Sequence, residues 1–190
     1  MDKIYFEDKT FEKNDFTVNA LPKGEYDNCT FINCNFSNSD VSNIIFSECE
    51  FRGCNMSMVK PVKTAFKDIQ FTNCKLTGIC FDDCSEFLFS VHFENCILNF
   101  SSFYKLNLKK TQFKNSSLRE ADFTETNLTS AVFDNCDLAL AAFENTILEK
   151  ADFRTSFNYS INPEINRLKK AKFSLAGVVG LLHKYDIEIE

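Results

Sequence analysis

From Phe93 to Phe153 every fifth residue is Phe or Leu, in strict alternation: Phe93, Leu98, Phe103, Leu108, Phe113, Leu118, Phe123, Leu128, Phe133, Leu138, Phe143, Leu148, Phe153. A helix returns to one face every 3.6 residues and a strand every second residue. A five-residue beat fits neither, so the chain must turn a corner about every five residues. Two places before each large residue stands a small one, as in Ala121-Asp122-Phe123 and Ala151-Asp152-Phe153, with Leu106 the only large exception. Residues two apart on a short extended stretch point the same way. The small and the large residue therefore face inward and the other three outward, in a repeat architecture.

Upstream the beat continues in a second register through Phe6, Phe11, Phe16, Leu21, Tyr26, Phe31, Phe36, Val41, Phe46, Phe51, Met56, Pro61, Phe66, Phe71, Leu76 and Phe81. The two registers place 18 of the 22 Phe in the large slot, so the Phe excess is core construction. Lys9 and Asn14 occupy small slots, and Leu21-Pro22-Lys23-Gly24 breaks the pattern. Residues 1–26 are therefore expected to be irregular, with well-formed coils from about Asp27. Pro61 removes a backbone donor from a large slot. The register shifts once, because Phe81 to Phe93 spans twelve residues, two more than two units. The extra pair lies within 82–88 and is either a bulge at a corner or a recognition loop.

This spacing resembles the pentapeptide-repeat family over nearly the whole chain. The resemblance implies an all-β fold: a right-handed quadrilateral β-helix in which four units make one coil and residues twenty apart stack. Phe93, Phe113, Phe133 and Phe153 then form one ladder, and Leu98, Leu118 and Leu138 another. Seven to eight coils at a strand spacing of about 4.8 Å give a rod of roughly 35–40 Å.

The beat fades after Phe153, with irregular units over 158–170, and Leu168 and Phe173 restore it for a last coil. The solenoid thus spans 1–174, and 175–190 form a separate ending. Ser174 reads as the N-cap of a short helix. Asp186-Ile187-Glu188-Ile189-Glu190 alternates like a short strand. Solenoids need a terminal element over the last coil. Leu175, Val178, Val179, Leu181, Leu182 and Tyr185 exceed what a lid requires, so some of them cover the core and the rest are candidates for a two-fold dimer contact. Monomeric capping is the alternative.

Nine cysteines raise the question of metal or disulfides. Cys29, Cys34, Cys49, Cys54, Cys74, Cys96 and Cys136 all fill the small inward slot, as does Cys84 if the upstream register runs on, and only Cys80 falls outside. They read as core, because cysteine packs as a small hydrophobe. With no C-x-x-C and two His, no metal site and no cofactor is expected. No catalytic constellation or phosphate loop occurs, so the chain is expected not to be an enzyme. There is no 18-residue apolar run for a membrane span. The start lacks the basic flank and apolar run of a signal peptide, which points to the cytoplasm.

Charge is uneven. Residues 1–153 hold 15 Lys/Arg and 23 Asp/Glu, a net of −8, whereas 154–190 hold 6 and 4, a net of +2. An acidic body argues against direct nucleic-acid binding and suits either solubility or a basic partner. Candidate partner contacts are Asp82, Asp83, Glu86 and Phe87 at the register shift, and the outward Glu120, Asp122, Glu125, Asp134, Asp137 and Glu144. Length, interrupted N-terminal part and the ending Leu181-Leu182-His183-Lys184-Tyr185-Asp186-Ile187-Glu188-Ile189 resemble the Qnr-like fluoroquinolone-resistance branch of the family. That resemblance implies a DNA-mimicking homodimer that binds type II topoisomerases, chiefly DNA gyrase, and protects them from quinolones. A generic interaction scaffold with another partner is the alternative.

Overall fold

The computed structural model describes residues 4–188, which wind as a four-sided parallel β-solenoid. Each unit forms one side. We name the sides by the inward residue of the first coil: A from Phe6, B from Phe11, C from Phe16 and D from Leu21. The strands, in chain order, are β1 (Ile4–Glu7), β2 (Thr10–Glu12), β3 (Gly24–Asp27), β4 (Thr30–Ile32), β5 (Ile45–Ser47), β6 (Glu50–Arg52), β7 (Ala65–Lys67), β8 (Ile69–Thr72), β9 (Val91–Glu94), β10 (Gln112–Lys114) and β11 (Val132–Asp134). Side A carries β1-β3-β5-β7, and side B the seven-stranded sheet of β2, β4, β6 and β8 through β11. Pairing runs at a register of twenty, as in Phe31↔Phe51, and widens to twenty-two between the two coils that flank the register shift, as in Phe71↔Phe93 and Cys80↔Ser102. Sides C and D, and side A beyond β7, are tied by single bridges such as Asn35↔Asn55, Asp122↔Ala142 and Asn127↔Ile147.

Stacked rings fill the interior. On side B nine Phe run from Phe11 to Phe173, with successive centroids 4.7–5.4 Å apart. Opposite them Phe81, Phe103, Phe123 and Phe143 stack at 4.9–5.2 Å. The two ladders meet edge to face, as in Phe103–Phe113 at 5.9 Å, an arrangement favoured by the ring quadrupole. The leucines of the Phe93–Phe153 series, Leu98, Leu118 and Leu138 among them, are buried on the sides between.

The corners explain the outward residues. Two places after most large residues the backbone turns left-handed, with φ near +55°, and nine of these positions are Asn. Asn tolerates that conformation better than most residues because its short side chain bonds locally. The small slot has a second role besides leaving room. Its hydroxyl or thiol donates to the carbonyl of the large residue one coil back: Thr126 to Phe103 at 2.7 Å, Thr146 to Phe123 at 2.8 Å, Cys54 to Phe31 at 3.3 Å, Cys136 to Phe113 at 3.4 Å.

Three expectations change. The first coil is regular from Ile4, since β1 pairs with β3 and β2 with β4. Phe6 and Phe11 stack on Tyr26 and Phe31 at 4.6 and 4.8 Å. That stacking holds the coil although Lys9 and Asn14 lie exposed in small slots. The irregular stretch contracts to about 17–23, where Leu21 is still buried. At the register shift, Phe81–Asp83 make a 3₁₀ turn, Cys84 stays inward, Glu86–Leu88 leave the wall, and Phe89 re-enters against Phe66 and Phe81 at 6.4 and 6.1 Å. At the end, Ala176–Leu181 and His183–Tyr185 are 3₁₀ helices. Of the strand expected over Asp186–Glu190, the described residues 186–188 form none, Asp186 turning left-handed, while Ile189 and Glu190 lie outside the described residues.

Candidate interaction surface

The outward carboxylates follow from the coil geometry. A residue just before a large one points outward next to a corner, where an Asp or Asn side chain can accept the amide N–H two residues on, an Asx turn. Asp122 accepts from Thr124 N–H at 2.8 Å, and Asp137 from Ala139 N–H at 3.1 Å and from Arg119 Nη1 at 3.2 Å. Asp40 does the same with Ser42, whose hydrogen bonds pull its carboxyl down to about 2. Asp134 accepts the Thr155 hydroxyl at 2.9 Å. These Asp side chains are tied into the wall. Glu120 and Glu144 are exposed, and Glu125 faces Lys105 at 3.6 Å, a solvated pair of the kind that contributes little to stability.

The candidate residues do not converge on one side. Asp82, Asp83, Asp122, Glu125 and Glu144 lie on side D or its far corner. Asp134 lies on side B, and Glu120 and Asp137 on side C. Glu86 and Phe87 stand on the protrusion between sides D and A, where Phe87 is 70% exposed and Lys67 Nζ sits 5.9 Å from its ring. The densest acidic group is elsewhere: Glu7, Asp8, Glu25, Asp27, Glu48 and Asp68 occupy the first four coils of side A. Stacking arithmetic could have found them, since Asp8, Glu48 and Asp68 share one corner column at multiples of twenty.

At the C-terminal end Ser174 does cap: its Oγ accepts Gly177 N–H at 3.0 Å. A β-carbon at Gly177 or Gly180 would run into Tyr159, so these glycines let the helix lie on that ring. Leu181 packs against the core, while Leu175 is 94% exposed and Val178 and Val179 38% each. Leu182 is half-buried and Tyr185 exposed, its hydroxyl donating to Glu164 at 3.0 Å. A cavity of about 330 Å³ lies beside this helix, lined by Ser156, Tyr159, Ser174, Val179 and His183.

Eight cysteines are buried and Cys80 is exposed. Burial pushes the Cys49 and Cys136 thiols up to about 12. Among the described residues no His/Cys/Asp/Glu group is arranged to hold a metal ion, and no helix is long and apolar enough to cross a membrane.

No curated protein matches the chain by sequence. Among solved structures it is similar to two trypsin-treated variants of QnrB1, a plasmid-mediated fluoroquinolone resistance protein. One has a TM-score of 0.64 at 17% identity over 98% of this chain and 100% of that one; the other has 0.65 at 17% over 97% and 99%. Full-length QnrB1 gives 0.56 at 18% identity over 96% and 100%. At such identity the likeness is one of fold. The model of the pentapeptide repeat region matches residues 25–85 and 87–158, with its break at Glu86 on the protrusion. Matched over more than half its length and built as a four-sided coil of five-residue units, the chain belongs to the pentapeptide-repeat family.

Proposed function

We propose that the protein is a non-enzymatic binding protein: a DNA-mimicking dimer that occupies a type II topoisomerase, DNA gyrase or topoisomerase IV, and shields it from quinolones. The observation that carries this reading is the correspondence along the whole rod with QnrB1, a fluoroquinolone resistance protein, from first coil to C-terminal segment. Physical chemistry supports it. The rod offers flat walls rather than a deep pocket, which suits a macromolecular partner. Its repeating body carries a net of −8 over residues 1–153, and acidic walls attract an enzyme surface built to hold DNA. The exposed Leu175, Val178 and Val179 provide the contact between subunits. The protein acts in the cytoplasm, where its partner works.

The scatter of carboxylates over sides B, C and D favours a second reading, a scaffold for a different basic partner. A gyrase supercoiling assay with a quinolone separates the two. The first reading expects supercoiling to be restored as purified protein is added. No effect at tens of micromolar protein leaves the scaffold reading.

A further inference from the structure

Side A has nine rungs, held by Phe6, Tyr26, Phe46, Phe66, Phe89, Leu108, Leu128, Leu148 and Leu168. Its outward charges are sorted along the rod. The first four rungs carry the six carboxylates named above and a single cation, Lys67. The last four carry Lys109, Lys110, Lys150, Arg167, Lys169 and Lys170 and a single carboxylate, Glu149. The two minority charges are engaged within the chain: Lys67 with the Phe87 ring, and Glu149 with Arg167 at 2.6 Å. The five lysines are exposed and form no ion pair among the described residues. Between the halves lies the fifth rung, the one interrupted by the register shift, with Phe87 70% and Leu88 63% exposed.

We infer that side A is self-complementary and that its partner is a second copy of this chain, packed antiparallel. A two-fold axis in the plane of contact and perpendicular to the rod reverses the order of the rungs but keeps each corner column on its own side. The first rung then meets the ninth, placing Glu7 and Asp8 against Lys169 and Lys170. The fourth meets the sixth, placing Asp68 against Lys110. The fifth rung meets itself, so Phe87 and Leu88 form an apolar centre with a charged surround, the usual anatomy of an interface. Because one backbone spacing of about 4.8 Å sets both halves, these opposite charges stay in step; the two like-charge meetings, Asp27 with Glu149 and Lys67 with Lys109, fall on the minority charges, of which Glu149 is already paired with Arg167 and Lys67 lies over the Phe87 ring. This contact is separate from the C-terminal one and does not depend on the topoisomerase reading.

A wall of about 40 Å by about 10 Å gives about 400 Å² per copy, or about 800 Å² in all, below the range of stable specific interfaces and in that of weak, transient ones. The pairing is therefore steered by charge and lost in salt.

The test is sedimentation velocity of the full chain carrying Val179→Asp, which removes the C-terminal contact and leaves side A intact. Two charge-reversed forms are compared with it: Lys110→Glu/Lys169→Glu/Lys170→Glu and Glu7→Lys/Asp8→Lys/Asp68→Lys. All six positions are exposed, so circular dichroism should show each form folded. The inference expects the parent to dimerise at low ionic strength and dissociate in about 0.5 M salt. Each reversed form alone should associate at least about tenfold more weakly. An equimolar mixture should recover a heterodimer, because every wall half again faces its opposite. A parent that stays monomeric in low salt, or a mixture that associates no better than its components, overturns it.

Discussion

The hydroxyl of Thr126, buried in a small inward slot, donates to the carbonyl of Phe103 one coil back at 2.7 Å. The same carbonyl accepts the Leu106 N–H at 3.1 Å. Side-chain and backbone donors thus share the carbonyl at a corner, so a coil is fastened to its predecessor at the turn as well as along the strand. A hydrogen bond of this kind contributes about 1 kcal/mol net. Thr126→Val, nearly isosteric, should lower stability in urea by about 1 kcal/mol, while Thr126→Ser should keep most of it. A loss confined to Thr126→Ser, with Thr126→Val as stable as the parent, would show that the methyl, not the hydroxyl, matters.

Burial predicts the thiol chemistry. With the folded chain at pH 8, a thiol reagent should modify one cysteine quickly, Cys80, and the other eight only after unfolding. A thiolate is the reactive form, and burial holds the Cys49 and Cys136 thiols protonated. Mass spectrometry of the labelled native protein counts the adducts. Rapid labelling of several cysteines would contradict the packed core.

The corners predict a stabilising change. Leu140 is 77% exposed and holds a left-handed φ of 60°, a conformation that costs an ordinary L residue about 1 kcal/mol or more. Leu140→Asn should raise the thermal midpoint, with a gain of roughly 0.5–1 kcal/mol. By contrast Phe113→Ala, in the middle of the nine-ring ladder, should cost about 3–5 kcal/mol.

Acid should weaken the fold in a defined window. Hydrogen bonds to Ser42 draw the Asp40 carboxyl down to about 2, and Thr17 and Arg154 lower those of Asp15 and Asp152. A carboxyl depressed in the folded state stabilises fully above its unfolded value of about 4, and that contribution is lost as pH falls toward the folded value. Urea midpoints should be flat from pH 7 to about pH 4.5 and fall between about pH 4 and pH 2. In Asp40→Asn, whose amide oxygen can still accept the Ser42 N–H, the fall should be shallower. An unchanged slope would show that the Asp40 carboxylate does not contribute.

The five-residue beat made the solenoid legible, because apolar spacing maps directly onto inward positions: Phe93, Phe113 and Phe133 stack as their spacing required. The cysteines were legible for the same reason, although only coordinates reveal that Cys54 and Thr126 serve as donors as well as fillers. Asn33, Asn95 and Asn115, each two residues after a Phe, carried a corner signal that hydrophobic spacing alone does not read. The first coil was less legible, since Lys9 and Asn14 break the pattern while ring stacking on Tyr26 and Phe31 preserves the fold. The C-terminal segment keeps its cap at Ser174 but tightens to 3₁₀ and makes no strand over residues 186–188. The candidate surface was least legible. Whether an outward carboxylate lacks a partner among the described residues, like Glu144, or is tied into an Asx turn, like Asp122, depends on neighbours across the coil.

DNA mimicry is tested most directly by displacement. A fluorescent duplex bound to DNA gyrase is titrated with the purified protein while anisotropy is followed. The mimic should release the duplex in proportion to the protein added, and more weakly as salt is raised, since both ligands would share one basic surface. Duplex that stays bound at saturating protein would contradict the account.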